Sequence, residues 1–495
     1  MRDVVIVGAG PGGLTAGYKL AQAGKRVQVL ELDPTYVGGI SRTVEYKGFR
    51  FDIGGHRFFS KSQEVEDFWT EILGEDLLER PRLSRIFYRG KFFSYPLKAF
   101  EALEKLGLIE STLCLLSYAK ARFLPHPAPK CFEDWVSNQF GSRLFAMFFK
   151  TYTEKVWGMS CKEISADWAA QRIKGLSLSS AIRNALSGSN QPIDGERSQV
   201  VKSLIASFRY PKFGPGMMWE RCAEKIAQMG GEVRLGFRVV RLSQDEDGNW
   251  NVVAQNAVGE QIEVQCEHVI SSMPMRELAT VLGGDLGDTG IVAAGKLRYR
   301  DFLTVALMLR DGHSMEDNWI YVHDPEVRVG RIQNFKAWSP FLVPDPALTC
   351  YGLEYFCFEG DGLWAKADAD LIELAKREIE KIGLARSSDI LDGCVVRQAK
   401  AYPVYDDEYA AHVDDLKTAI HQRFEKLHLI GRNGMHKYNN QDHSMMTGML
   451  TAKNILAGEQ IFDVWNVNQD AEYHEEDVVE AAASGLRAVP ARVAG

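Results

Sequence analysis

A glycine-rich turn near the start of the chain constrains the fold more than any other feature. Val4-Val5-Ile6-Val7 reads as a buried strand, and Gly8-Ala9-Gly10-Pro11-Gly12-Gly13 follows it directly. Residues 14–22 then carry helical spacing, with Leu14, Tyr18 and Leu20 on one side. Gly24 ends that helix, and residues 26–30 form a second strand. In this order the glycines have separate tasks. Gly8 permits the tight turn, Gly10 lets backbone approach a pyrophosphate, and Gly13 allows close helix–strand packing. Gly12 lies in the same cradle, at a helix N-terminus whose N–H groups and dipole favour phosphate. Glu31 stands 23 residues after Gly8, at the end of the second strand, where a carboxylate grips adenosine ribose hydroxyls.

Three later elements point to FAD held non-covalently and not to a simple NAD site. Gly38-Gly39-Ile40-Ser41-Arg42 supplies a second glycine turn with a cation. Gly54-Gly55-His56 places two glycines where backbone must press on a flat ring. Leu427 to Arg432 reads as a late strand ending at Gly431, with a helix expected to begin near Ser444 and to cover 445–456. Asp442 and His443 precede that helix as side-chain caps, its backbone being the ligand contact.

The fold class implied is α/β: a Rossmann-type FAD-binding domain with a helical insertion and an antiparallel-sheet substrate domain. Segments 1–90, 209–275 and 390–465 are assigned to a discontinuous FAD-binding domain. Residues 91–208 are a helical insertion, with helices over 97–105, 109–123 and 132–152 and a polar, mobile loop at 183–207. Residues 276–389 read as the antiparallel sheet, and 466–495 as a flexible tail.

Composition narrows the function classes. A net charge of -8 disfavours nucleic acid and anionic membrane surfaces. The 8 cysteines form no CxxC pair and no zinc-type spacing, so no metal site and a reducing compartment are expected. No apolar run reaches the length of a transmembrane helix, and the first apolar stretch is too short for a signal peptide. A cytoplasmic location follows as an expectation.

These motifs resemble the superfamily of amine oxidases, protoporphyrinogen oxidases and phytoene desaturases. Within it, Tyr152-Thr153-Glu154-Lys155-Val156-Trp157-Gly158, Trp168-x-x-x-Arg172, Trp319-x-Tyr321, Tyr402-Pro403 and Asn440-Gln441-Asp442-His443-Ser444 are similar to segments of the UDP-galactopyranose mutase family. That resemblance implies a pyranose/furanose isomerisation with no net redox change, in which reduced flavin N5 attacks the anomeric carbon and displaces diphosphate. It implies a nucleotide-sugar substrate, a reductant for the flavin, and specific roles. Arg172 and Arg331 clamp the diphosphate. Tyr402 and Tyr438 donate hydrogen bonds to it. Trp157, Tyr321, Trp338 and Tyr355 line the sugar, and His56 faces the flavin as a catalytic group. Gly8, Gly10, Gly12, Gly13, Glu31, Gly38, Gly39, Ser41, Arg42, Gly55, His56, Val239, Gly431, Arg432, Asp442, His443 and Ser444 make up the expected cofactor set. The chain departs from the family at Trp338, where a tyrosine is usual, and at Phe59, where bacterial members carry a second histidine. Residues 100–130 show no match to a uracil site. The shared glycine motifs equally fit an FAD-dependent oxidoreductase, and that alternative stays open, as does the oligomeric state.

Overall fold

The computed structural model describes residues 1–95, 97–166, 207–312, 315–406, 408–468 and 492–493. Arg172, most of the polar stretch at 183–207 and the tail from 469 to 491 lie outside the described residues. Ser207 itself opens a strand, Ser207–Pro211.

Seven strands make the first sheet. Six run in the order Arg238–Gln244, Trp250–Gln255, Gln261–Ser271, Arg2–Val7, Val27–Leu30 and Glu232–Arg234, and Leu427–Leu429 joins at Gln261–Ser271. Arg2–Val7 pairs in parallel with both neighbours, Val4 opposite Val27 on one side and His268 on the other. Such a strand is covered on both faces, which is why Val4, Val5 and Ile6 are all fully buried. Its period of two sorts them. Val4 and Ile6 pack with the helices Pro11–Gln22, Gly216–Gln228 and Gln441–Ala457, whereas Val5 and Val7 pack with Met275–Leu282 and Tyr409–Arg423. The first helix begins at Pro11, and the last begins at Gln441, slightly before the expected Ser444.

The second sheet also has seven strands: Ile390–Pro403, Tyr299–Arg310, Leu348–Cys357, Arg331–Asn334, Trp319–Val322, Ser84–Tyr88 and Lys91–Ser94. It corrects the sequence reading twice. Ile390–Pro403 and Ser84–Tyr88 belong to this sheet, although both had been grouped with the nucleotide unit. The sheet is also mixed, because Trp319–Val322 pairs in parallel with Ser84–Tyr88. Alternation along one strand identifies a buried face but not the sheet that receives it. The partner is chosen by long-range registers such as Arg300 opposite Tyr402.

The helical layer beside this sheet contains Ala99–Leu106, Leu108–Phe123 and Phe132–Phe140. The single helix expected over 132–152 is broken. Gly141 turns the chain at φ +83°, pressed so closely on Ser117 and Tyr118 that a Cβ would stand 2.7 Å from the Tyr118 nitrogen. The chain resumes as Ser142–Phe145 and continues to Thr151–Trp157, which delivers Tyr152 and Trp157 towards the second sheet.

The ends of the described chain meet through glycine. A Cβ on Gly448 would overlap the Gly12 carbonyl oxygen, so the helices Pro11–Gln22 and Gln441–Ala457 cross with backbone against backbone. Gly448→Ala is expected to lose ~1–3 kcal/mol by overpacking, lowering the melting temperature by several degrees in calorimetry. An unchanged melting temperature would show that this crossing has slack.

Candidate functional site

The nucleotide cradle forms where the first strand meets the first helix. Gly8 sits at φ +99°, and a Cβ there would run into the Ser272 hydroxyl. A Cβ on Gly13 would overlap the Gly8 carbonyl oxygen. Gly10 differs: it is the helix N-cap without a side-chain cap, and nothing lies within 4 Å of where its Cβ would be. Pro11 has no N–H, so the N–H groups of the first turn remain available to an anion. Opposite stands the second glycine turn, tied in by the Gly38 N–H donating to the Ala9 carbonyl (2.8 Å). The Gly39 Cβ position is 3.5 Å from the Gly10 Cα.

Glu31 is fixed by backbone donors, the Ala9 N–H at 2.6 Å and the Asp33 N–H at 2.9 Å. Burial still raises its pKa above the ordinary carboxylate value. Arg42 donates to the Gly39 carbonyl at 2.9 Å and to Gln398 of the second sheet at 2.6 Å, which ties the second glycine turn to that sheet. Ser41 is buried beside it. The Val239 side chain lies in the core with Leu242 and Trp250, leaving only its backbone to meet a ligand.

Gly431 stands at φ +78° and donates its N–H to Thr447 Oγ1 (2.9 Å), which in turn donates to the Ser444 carbonyl (2.7 Å). Asn440 and His443 form a reciprocal capping box, with the Asn440 N–H donating to His443 Nδ1 at 3.2 Å. Asp442 accepts from the Ser60 hydroxyl at 3.2 Å. The two side chains expected to serve as caps are therefore engaged within the protein.

The second wall begins at Gly55, which is exposed although it lies between the sheets. Its Cβ position is 3.4 Å from both Gln333 Oε1 and the Trp338 ring. The His56 Nε2–H donates to the Ile53 carbonyl at 2.9 Å. Burial depresses the His56 pKa to about 4, with Arg432 and Arg331 pushing the same way, so the ring is neutral at pH 7.

Arg331 donates twice to Glu354 Oε2, at 2.9 and 2.6 Å, and Gln333 donates to the other Glu354 oxygen. Glu354 is fully buried. Burial disfavours the Arg331 cation, but the Glu354 carboxylate outweighs it and holds Arg331 well above the ordinary guanidinium value. The Nη1 side of Arg331 has no hydrogen-bond partner among the described residues.

Tyr402 and Tyr438 stack at 5.5 Å and 11°, and the Arg432 guanidinium lies 5.2 Å from each ring. Arg432 donates to the Asn439 and Ala401 carbonyls (2.8 and 3.0 Å), so it braces this stack. Trp157 stands 6.2 Å from Tyr438, and Tyr321 stands 5.5 Å from Tyr152. Trp338 is buried, with its indole N–H donating to the Asn318 carbonyl at 3.0 Å.

Tyr355 does not join this wall, which corrects its assignment to substrate binding. It is fully buried on the opposite face of its strand, with Leu303, Leu353 and Ile379. Glu354, one residue earlier, takes the site side, because successive strand residues point to opposite faces.

Sequence reasoning missed Glu354, Tyr152 as a wall residue, and the arginines Arg57 and Arg82, whose guanidinium groups lie 4.9 and 5.6 Å from the Trp319 ring. Only Arg57 carried a local signal, since it directly follows His56. Within the Tyr152–Gly158 stretch the roles separate. Tyr152 and Trp157 reach the wall, while Lys155 donates to the carbonyls of Val322, Asp324 and Val329 (3.1, 2.7 and 3.1 Å).

Beneath Gly54 lies Asp52, fully buried, accepting from the Tyr210 hydroxyl at 2.5 Å and from Thr43 at 3.3 Å. Burial pushes its pKa up to about 8, against the effect of both hydrogen bonds. A carboxyl whose pKa is raised on folding stabilises the fold below its unfolded pKa, and that stability is lost as pH rises towards the folded value. Asp52→Asn should therefore raise the melting temperature, and by more at pH 8 than at pH 5. A gap that does not grow with pH would mean that Asp52 is ionised in the folded protein.

An NAD(P)-binding Rossmann-like domain family matches residues 6–72. The chain has the fold of a solved reduced UDP-galactopyranose mutase: TM-score 0.78, 23% identity, 92% of this chain and 94% of that one. Among curated proteins it is 27% identical to an Escherichia coli dTDP-fucopyranose mutase over 172 residues, 34% of this chain and 44% of that protein. It is 26% identical to the 15-cis-phytoene desaturase of Capsicum annuum over 265 residues, 50% of this chain and 42% of that protein. The chain spans less than half the length of the curated relatives it matches. Among the described residues, no helix is long and apolar enough to cross a membrane, and no cluster of three ligating side chains offers a metal site.

Proposed function

We propose that this chain binds FAD non-covalently and interconverts the pyranose and furanose forms of a nucleotide sugar of the UDP-galactopyranose class. The observation that carries this reading is the wall itself. A braced guanidinium, Arg331, stands near Tyr152, Tyr402 and the neutral His56, and the exposed Gly55 adjoins His56 and packs against Gln333 and Trp338. An anionic leaving group needs such fixed donors more than an apolar hydrocarbon substrate does.

The residues present fit a dinucleotide. Gly10 leaves open space at a helix N-terminus, and Gly8 and Gly13 leave no room for side chains around it. Gly8, Gly10, Gly12, Gly13 and the Gly38–Arg42 turn would hold the pyrophosphate, Glu31 the ribose, and Gly55, Gly431 and the start of Gln441–Ala457 the ring system. Bound and reduced, the flavin supplies a nucleophilic nitrogen at which the anomeric carbon can exchange its bond to diphosphate. The protein's own groups do the rest. Arg331 offers Nη1 to the diphosphate, and Arg172 is expected to join it. Burial lifts the Tyr402 pKa to about 12, so its hydroxyl stays protonated and donates. His56 keeps its Nε2 proton on the Ile53 carbonyl, which orients the ring and makes it a poor general acid at pH 7. Trp157, Tyr321 and Trp338 exclude water from the sugar.

Anaerobically reduced protein, offered UDP-, dTDP- and GDP-hexopyranoses, is expected to form furanose, detected by chromatography. The second reading, an FAD-dependent oxidoreductase, draws on the match to a phytoene desaturase over half the chain. Oxygen consumption with an amine or a desaturable lipid, without furanose, would establish that reading in place of the first.

A separate test addresses Arg331. Arg331→Ala alone strands Glu354 as a buried unpaired charge, which costs roughly 3–5 kcal/mol. The double variant Arg331→Gln/Glu354→Gln keeps the wall neutral. It is expected to weaken UDP binding at least tenfold, with the flavin absorption spectrum unchanged. Equal affinity would remove Arg331 from the diphosphate site.

A further inference from the structure

The chain from Asp463 to Asn468 closes onto the candidate site. The sequence reading begins a flexible tail at residue 466, yet Val467 is buried and Asn468 is hydrogen-bonded. Val464–Asn466 is one short helical turn capped by Asp463, which accepts from the Trp465 N–H at 3.0 Å. Apolar side chains anchor the segment to both faces of the first sheet. Val464 packs against the clusters on either side, Trp465 joins one of them and Val467 the other. Lys417 lies 4.7 Å from the Trp465 ring. A segment packed in this way is a fixed support.

What it supports is the loop from Gly431 to Asn440, which carries Arg432 and Tyr438. Two side chains make the link. Lys437 donates its ammonium to the Trp465 carbonyl at 3.0 Å and to the Val467 carbonyl. Burial brings the Lys437 pKa down to about 8; Asp463 of the same segment opposes that fall and Lys417 adds to it. Asn468 uses both amide hydrogens on the loop, one on the Tyr438 carbonyl at 3.0 Å and one on Asn439 Oδ1 at 3.2 Å. Asn439, itself buried, donates in turn to the Gly431 carbonyl at 3.0 Å. With its oxygen held by Asn468, the Asn439 amide has one orientation: reversed, it would set donor against donor and acceptor against acceptor. The Tyr438 N–H donates to the Tyr405 hydroxyl, so the backbone of Tyr438 is held on both sides while its ring stacks on Tyr402. Asn468 stands at φ +57°, a conformation that asparagine adopts more readily than most residues.

We propose that Asp463–Asn468 is a positioning strap of the site, in which Asn468 and Lys437 act through Asn439 and Tyr438 to set where the Tyr438 ring and the Gly431 backbone stand. This rests on the reading of Tyr438 as a donor to the diphosphate and of Gly431 as a flavin contact. Asn468 and Lys437 are positioning residues, since their hydrogen bonds are made within the protein.

The full-length, FAD-loaded protein tests this with Asn468→Gly, which tolerates the positive φ and removes the side chain. Its affinity for UDP is expected to fall roughly tenfold, about what one displaced hydrogen bond to a charged group is worth. The visible circular dichroism of the bound flavin is expected to change, with FAD retained. In a Tyr438→Phe background the same substitution should cause no further loss of UDP affinity, because it acts through that hydroxyl. If Tyr438→Phe weakens UDP binding and Asn468→Gly either leaves it unchanged or adds its full loss in both backgrounds, the strap is overturned. If UDP does not bind the wild type, or Tyr438→Phe leaves its affinity unchanged, the diphosphate reading of Tyr438 is what fails. The flavin signal then decides the strap: a changed spectrum in Asn468→Gly and Lys437→Met upholds it, and an unchanged one overturns it.

Discussion

Everything else in this structure depends on a contact between two backbones. Gly12 and Gly448 let the first helix and the last described helix touch without side chains between them. Through that contact the elements around Gly431 and Gln441–Ala457 return to the glycine turn that opens the chain. Without it the cradle would have one side only, and the wall bearing Tyr438 and Arg432 would not face it. Thr447 adds a polar lock at the same crossing, accepting from Gly431 and donating to Ser444.

The region between the two sheets is unusually rich in buried ionisable groups, and each is handled differently. Arg331 and Glu354 neutralise one another with two hydrogen bonds, which makes the pair a rigid support and not a source of stability. Asp52 avoids charge by holding its proton. His56 avoids it by losing one. Lys155 stays engaged with three carbonyls while burial brings its pKa down to about 8. The shared cause is desolvation, and what distinguishes the outcomes is whether a counter-charge is within reach. The wall therefore offers orientation and hydrogen-bond donors at neutral pH.

The helix Leu108–Phe123 belongs to the same layer: its buried Cys114 joins the cluster against which Tyr321 packs, and Gly141 and Gly158 set the angles at which the short helices of that layer turn.

The local sequence determined the cradle. Its glycines, the strand before them and Glu31 lie within one short stretch, and backbone conformation and close approach allow few other residues there. Of the two caps expected before the last helix, His443 is one, in a box with Asn440, whereas Asp442 accepts from Ser60 instead. Elsewhere the sequence could state a pattern without its outcome. Tyr355 and Glu354 are neighbours on a strand buried on both faces, so alternation could not tell which one meets the site. Ile390–Pro403 could have joined either sheet, and Gly141 could have been read through as helix. The counter-charge of Arg331 could not be read locally, because Glu354, 23 residues away, comes opposite it only through strand pairing. Those decisions belong to tertiary structure because each depends on which distant strand or helix lies alongside, and that is set by the packing of the whole chain.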